Sequence, residues 1–143
     1  MEINVTKCLS HKNAKFEFEL CEKVEFENEY ISLDNPLNVA IRGRFDGNDF
    51  HVKGNISGEI NCNCDRCLET YPMEIDYDFE ELVVREKEED TDYMYENGII
   101  PLDDMVINNV LLNLPMQLLC KQDCKGVCLR CYVNLNTDKC KCL

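Results

Sequence analysis

Six of this chain's eleven cysteines fall between residues 120 and 142, and no other feature limits its fold as strongly. They read Cys120-x3-Cys124-x3-Cys128-x2-Cys131-x8-Cys140-x-Cys142, too dense and ordered for scattered core thiols. A two-residue gap lets two thiolates reach one tetrahedral ion from a tight turn, and Gly126 loosens the backbone between the second and third cysteines. The tail's large apolar side chains are few: Leu129, Tyr132, Val133, Leu135 and Leu143. It cannot build a core of its own, so metal is expected to replace one. A structural zinc site supplies roughly 10–16 kcal/mol of apparent binding free energy, comparable to the ~5–15 kcal/mol that holds a whole domain folded.

A second knuckle lies mid-chain, in Cys62-Asn-Cys64-Asp-Arg66-Cys67. Two ligands cannot complete a tetrahedral site, so Cys64 and Cys67 need partners from elsewhere. Together with the tail they make eight thiols, enough for two zinc ions. The first expectation gives one ion Cys64, Cys67, Cys120 and Cys124, and the other Cys128, Cys131, Cys140 and Cys142. The tight Cys140-x-Cys142 spacing is a difficulty for that partition. The alternative is a single ion using Cys128, Cys131 and fewer neighbours.

Compartment decides how such cysteines are read. The first residues, Met-Glu-Ile-Asn-Val-Thr-Lys, offer neither a basic start nor an apolar core of a secretory signal. No apolar run approaches the roughly 18 residues of a membrane span. The expectation is a cytoplasmic protein, and in reducing cytosol cysteine clusters more often hold metal than disulfides. A redox Cys-x-x-Cys normally opens a helix after a parallel strand, whereas both flanks of Cys64–Cys67 read as antiparallel strand. A catalytic zinc keeps an open position and usually has histidine or carboxylate ligands. His11 and His51 are the only histidines and lie far from the tail. The metal is therefore read as structural, and the chain as no enzyme.

Charge narrows the partners. The net charge is −13, but residues 120–143 carry +3, from Lys121, Lys125, Arg130, Lys139 and Lys141 against Asp123 and Asp138, leaving −16 on the rest. Between Glu74 and Glu96 eleven acids face only Arg85 and Lys87. Nonspecific nucleic-acid affinity grows with each phosphate neutralised, so most of this surface should repel RNA. Candidate contact residues are the five tail cations and Arg66, whose plain alternative role is solubility.

The rest of the chain reads as mainly antiparallel β. Residues 2–8, 16–26, 37–45, 50–60 and 68–84 alternate with the two-residue period of half-buried strands. Asp46-Gly47-Asn48 marks a hairpin between two of them. Gly43, Gly54 and Gly58 suggest bulges or strong curvature, as in a sheet coiling toward a barrel. Residues 85–97 read as a solvated acidic loop. A helix follows over about 103–114, capped by Asp103 or Asp104, with Ile107, Val110, Leu111 and Leu114 on one face and Pro115 at its end. The expected class is α+β: a curved antiparallel sheet that closes at most into a barrel, one amphipathic helix, and a zinc-binding tail. Residues 1–119 form the body, and residues 120–143 pack on it as part of one structural unit.

Cys64-Asp-Arg66-Cys67-Leu68, Leu114-Pro115, and Cys120…Cys124-Lys-Gly126-Val-Cys128-Leu-Arg-Cys131…Asn134-Leu135-Asn136…Cys140-x-Cys142, taken together in this order, resemble the YceD family. The likeness runs from about residue 58 to the end. It departs at Tyr132, where the family usually has glycine. The resemblance implies a non-catalytic factor tied to accumulation of 23S rRNA and to biogenesis of the large ribosomal subunit. Its partner would be the ribosomal precursor, through 23S rRNA or a basic large-subunit protein, with no membrane and no small-molecule substrate. Two other readings are a thiol oxidoreductase using Cys64 and Cys67, and a protein that stores or transfers zinc.

Overall fold

Alternating side chains in four long segments place one apolar row of each on a common face, and the chain joins those rows into one sheet. This computed structural model describes residues 1–89, 93–140 and 142. Its elements are β1 (Glu2–Asn4), a 3-10 turn (Thr6–Ser10), β2 (Lys15–Glu22), β3 (Ile31–Ser32), β4 (Leu37–Phe45) and β5 (Phe50–Asn63). There follow β6 (Thr70–Val84), β7 (Tyr93–Met94), β8 (Ile99–Pro101) and α1 (Asp103–Asn113). The class is α+β. The main sheet runs β2-β4-β5-β6-β7, with β3 beside β4 on the same edge of β5, and β1 pairs separately with β8. Among the described residues, only the β6–β7 pairing is parallel.

The sheet is open. β2 and β7 end the strand order without meeting, so the expected closure toward a barrel does not occur. Nor do the glycines make bulges. The registers β4–β5 and β5–β6 run without interruption past Gly43, Gly54 and Gly58. Gly43 lies directly opposite Phe16 and Gly54 opposite Phe79. A Cβ at Gly54 would come within 2.5 Å of the Phe79 ring, and one at Gly43 would overlap Phe16. Gly43 and Gly54 make room for aromatic rings laid across the neighbouring strand.

The buried face carries Leu37, Val39 and Ile41 of β4, Phe50, Val52, Ile56 and Ile60 of β5, and Ile75, Phe79 and Val83 of β6. Ile3, Val5, Ile100, Leu102 and the helix residues Met105, Val106 and Val110 complete this core. Each fully buried side chain of this size contributes about 1.5–3 kcal/mol. The helix face is rotated from the expected one. Met105, Val106, Asn109 and Val110 are buried, whereas Ile107, Leu111 and Leu114 are only half-buried. Asn109 can occupy that face because its Nδ2 donates to Glu81 Oε1 on β6 (3.1 Å) and to the Met105 carbonyl (2.8 Å). Leu102 is the N-cap residue and no side chain caps the helix; Asp103 instead accepts from the Met1 amine at 2.8 Å.

The acidic stretch 85–97 is more structured than a solvated loop. Tyr93 and Met94 add β7 to the sheet, and Tyr95 is buried with its hydroxyl donating to the Asn48 carbonyl at 2.6 Å. Three apolar side chains among the acids supply the anchor. Asp90, Thr91 and Asp92 lie outside the described residues.

Candidate metal centres

β5 delivers Cys64 one residue past its end, where the chain reverses in a tight turn. The Cys64 N–H donates to the Glu69 carbonyl (2.9 Å) and the Leu68 N–H to the Cys64 carbonyl (3.0 Å), with Leu68 held at φ 65°. Two residues of this turn then grip the approach to the tail. Asp65 accepts the Leu118 N–H at its carboxylate and donates its own N–H to the Leu118 carbonyl, both at 2.7 Å. Arg66 Nη1 donates to the Cys124 carbonyl at 3.1 Å. Gly126 sits against the Arg66 carbonyl at φ 79°, where a Cβ would lie 3.1 Å from that oxygen. Both the close approach and the left-handed backbone require glycine.

These clamps bring Cys64, Cys67, Cys120 and Cys124 together, with all four sulfurs within 4.8 Å of one another. Cys64 Sγ is 3.6 Å from Cys124 Sγ, and Cys67 Sγ is 3.7 Å from Cys120 Sγ. Four thiolates at ~2.3 Å from a tetrahedral zinc would be ~3.8 Å apart. The donor set and its spacing therefore fit such an ion. Cys64, Cys67 and Cys124 are buried and Cys120 is half-buried, with Tyr71, Leu119 and Val127 packed around them.

The remaining four tail cysteines form a second group. Val127 and Asn134 bridge, and the Cys128 N–H donates to the Val133 carbonyl at 3.0 Å, making a small hairpin. The Tyr132 N–H returns to the Cys128 carbonyl at 2.8 Å, with Tyr132 at φ 60°. This repeats the turn at Cys64–Leu68. Cys128, Cys131, Cys140 and Cys142 again lie within 4.8 Å, with sulfur separations of 3.3 Å (128–140), 3.8 Å (131–140) and 4.0 Å (128–142). The Cys140-x-Cys142 spacing is accommodated by a curl in which the Cys142 N–H donates to Cys140 Sγ at 3.3 Å. This cluster is open to solvent: Cys131, Cys140 and Cys142 are exposed.

Backbone donors prepare particular sulfurs for the anionic form. Burial pushes the Cys64 thiol up, but N–H groups of Cys67, Cys120 and Arg66 outweigh it and bring the thiol down to about 6. The Cys131 and Arg130 N–H groups bring Cys128 to about 6. The Asn136 side-chain amide lowers Cys124, donating to its sulfur at 3.3 Å. Their neighbours move the other way. Burial and the adjacent sulfurs push Cys120 up to about 12, and the Cys131 and Cys140 sulfurs raise Cys142 to about 12. A group of four thiols resists multiple ionisation unless a cation shares the space.

Asn136 was missed among the site residues. Its Oδ1 also accepts the Lys125 N–H at 2.9 Å, so one side chain joins the segment between Cys131 and Cys140 to the first cluster. Asp65 was missed too. Their signal in the sequence is position, inside the first knuckle and between two tail cysteines, and both stand in the segments that carry the family resemblance. Among the candidate contact residues, Lys121, Lys125, Arg130 and Lys139 are exposed on the tail. Arg66 is exposed, but its head group holds the Cys124 carbonyl. Lys141 lies outside the described residues. Cys62 is buried in the sheet core, and neither it nor Cys8 nor Cys21 joins a cluster.

An open, mainly antiparallel sheet with one helix and two four-thiol clusters, either of which could hold a metal ion, defines the class. The sequence profile described as "Large ribosomal RNA subunit accumulation protein YceD" matches residues 52–143, and the chain belongs to that family. It is 29% identical to "Uncharacterized protein YlbN" of Bacillus subtilis (strain 168), over 79% of this chain and 71% of that protein. It is 25% identical to "Uncharacterized protein ML1660" of Mycobacterium leprae (strain TN), over 79% of this chain but only 55% of that protein. No solved structure is significantly similar to this chain.

Proposed function

We propose that this protein is a cytoplasmic, non-catalytic assembly factor for the large ribosomal subunit, folded around two structural zinc ions. One ion is held by Cys64, Cys67, Cys120 and Cys124, and the other by Cys128, Cys131, Cys140 and Cys142. The observation that carries the metal reading is two groups of four thiols at tetrahedral sulfur spacing. Family membership carries the ribosomal one. In this reading the first ion staples residues 120–143 to the body and the second folds the end of the tail. Contact is made with 23S rRNA or with a basic large-subunit protein, through the exposed tail cations Lys121, Lys125, Arg130 and Lys139 and through the acidic body.

Thiol catalysis is less well supported. Cys64 and Cys67 are buried, at 0% and 4% exposure, and the turn after Cys64 leads to β6, so no helix dipole acts on them. Elemental analysis tests the metal assignment. The full chain should carry two zinc ions, and Cys64→Ser with Cys67→Ser should carry one. An unchanged zinc content in that variant would refute the stapled arrangement.

A further inference from the structure

Among the described residues, β6 offers the longest open backbone edge. Over residues 70–82 it pairs with β5 alone, because β7 meets only Val83 and Val84. Two residues identify which backbone groups point outward. Pro72 has no N–H to give β5, and the Val84 carbonyl accepts the Tyr95 N–H on the side away from β5 at 3.1 Å. Both positions are even-numbered. By strand alternation the N–H and C=O groups of Glu74, Asp76, Asp78 and Glu80 also point outward.

The same four residues carry a row of exposed carboxylates along the outer face of the sheet. Across the β5 ladder, Glu74 faces Glu59, Asp76 faces Ser57 and Asp78 faces Asn55; only Glu80 faces a cation, Lys53, 4.0 Å away. On the inner face Tyr71, Met73 and Tyr77 stay half-buried at this edge, while their β5 neighbours Ile56 and Ile60 are fully buried. An added strand would cover them.

We infer that the β6 edge takes up an extended, basic protein segment by strand addition, with lysine or arginine at alternate positions opposite Glu74, Asp76 and Asp78. Main-chain bonds supply affinity in this mode and alternate side chains supply selectivity. A second copy of the chain is a poor occupant: pairing β6 with itself in any antiparallel register that keeps the faces aligned sets carboxylate against carboxylate. RNA is a poor one for the same electrostatic reason. The inference deepens the partner part of the proposed function and does not depend on which ions the clusters hold.

The test uses the zinc-loaded full chain, a capped ten-residue peptide alternating lysine and valine, and a variant of equal charge in which two adjacent central residues are replaced by proline and the displaced lysine is moved to the peptide's end, so that an N–H facing β6 is lost in either strand direction. Hydrogen exchange should show the first peptide slowing the amides of residues 74–80 but not those of β2, the other open edge. The proline peptide should bind at least about tenfold more weakly, and so should the first peptide to Asp76→Asn with Asp78→Asn. These two residues are exposed, so the variant should keep the parent's circular dichroism. Equal binding by the proline peptide, protection at β2 or the tail, or undiminished binding by the variant would each overturn the inference. None of those results would touch the zinc content, which tests the metal reading separately.

Discussion

At the scale of single residues, the first cluster depends on groups that are not sulfur. Asn136 donates to Cys124 Sγ and accepts from Lys125 N–H, so its amide both orients a ligand and ties two segments together. Outer-shell partners of this kind are typically worth 10–100-fold in metal affinity. Asn136→Ala should therefore weaken zinc binding at the first cluster by roughly that factor, read by competition with a coloured chelator, while the second cluster keeps its ion. Leu68 and Tyr132 illustrate the backbone at the same scale. Each follows the second cysteine of a Cys-x-x-Cys and adopts positive φ, at 65° and 60°. This is where a glycine would be unstrained, which gives the family's glycine at the Tyr132 position a physical reason.

At the scale of elements, the β4–β5 hairpin is held by its turn. Asp46 accepts the N–H groups of Asn48 (2.9 Å) and Asp49 (2.7 Å) and meets His51 Nε2 at 2.8 Å. The Asp49 and Asn48 backbone donors and the His51 ring hold its carboxyl down at about 2, below the ordinary 3.8. A folded-state value below the unfolded one stabilises the protein above about pH 4, and that stabilisation is lost as pH falls toward 2. Asp46→Asn should accordingly lower the midpoint of urea unfolding at pH 7, and the gap from the parent should close as the pH approaches 2. Asp-Gly-Asn was a readable turn signal. The role of Gly43 and Gly54 was not readable, because a glycine in a strand looks the same whether it bends the strand or makes room for a ring opposite. Only the register, Phe16 against Gly43 and Phe79 against Gly54, reveals the ring that each makes room for. The helix shows a similar gap. Its existence followed from the three-and-four spacing of apolar residues and from Pro115, but its buried face did not, since Asn109 is acceptable there only with Glu81 across from it.

At the scale of the whole molecule, charge governs encounters. With −13 overall and an excess of acid on the body, the protein should bind naked 23S rRNA weakly and release it at moderate salt, because affinity for phosphates falls steeply with ionic strength. A filter-binding series in potassium chloride checks this, and tight binding above physiological salt would contradict it. Zinc would shift the balance further. Four thiolates around a dication carry about −2, which offsets most of the tail's +3.

Composition and spacing alone established that the tail cannot fold on apolar contacts, that eight cysteines stand at ligand spacing, and that alternating strands surround one helix. Those properties are local: they depend on what lies within a few residues. Cys64 and Cys67 meet Cys120 and Cys124 because β5 pairs with β6, α1 packs on the sheet and Asp65 holds Leu118. The openness of the sheet, the burial of the first cluster beside the exposure of the second, and the free edge of β6 arise in the same way. The joining of the first cluster depends on contacts between residues some fifty or more positions apart, a separation over which no periodicity in the chain carries information.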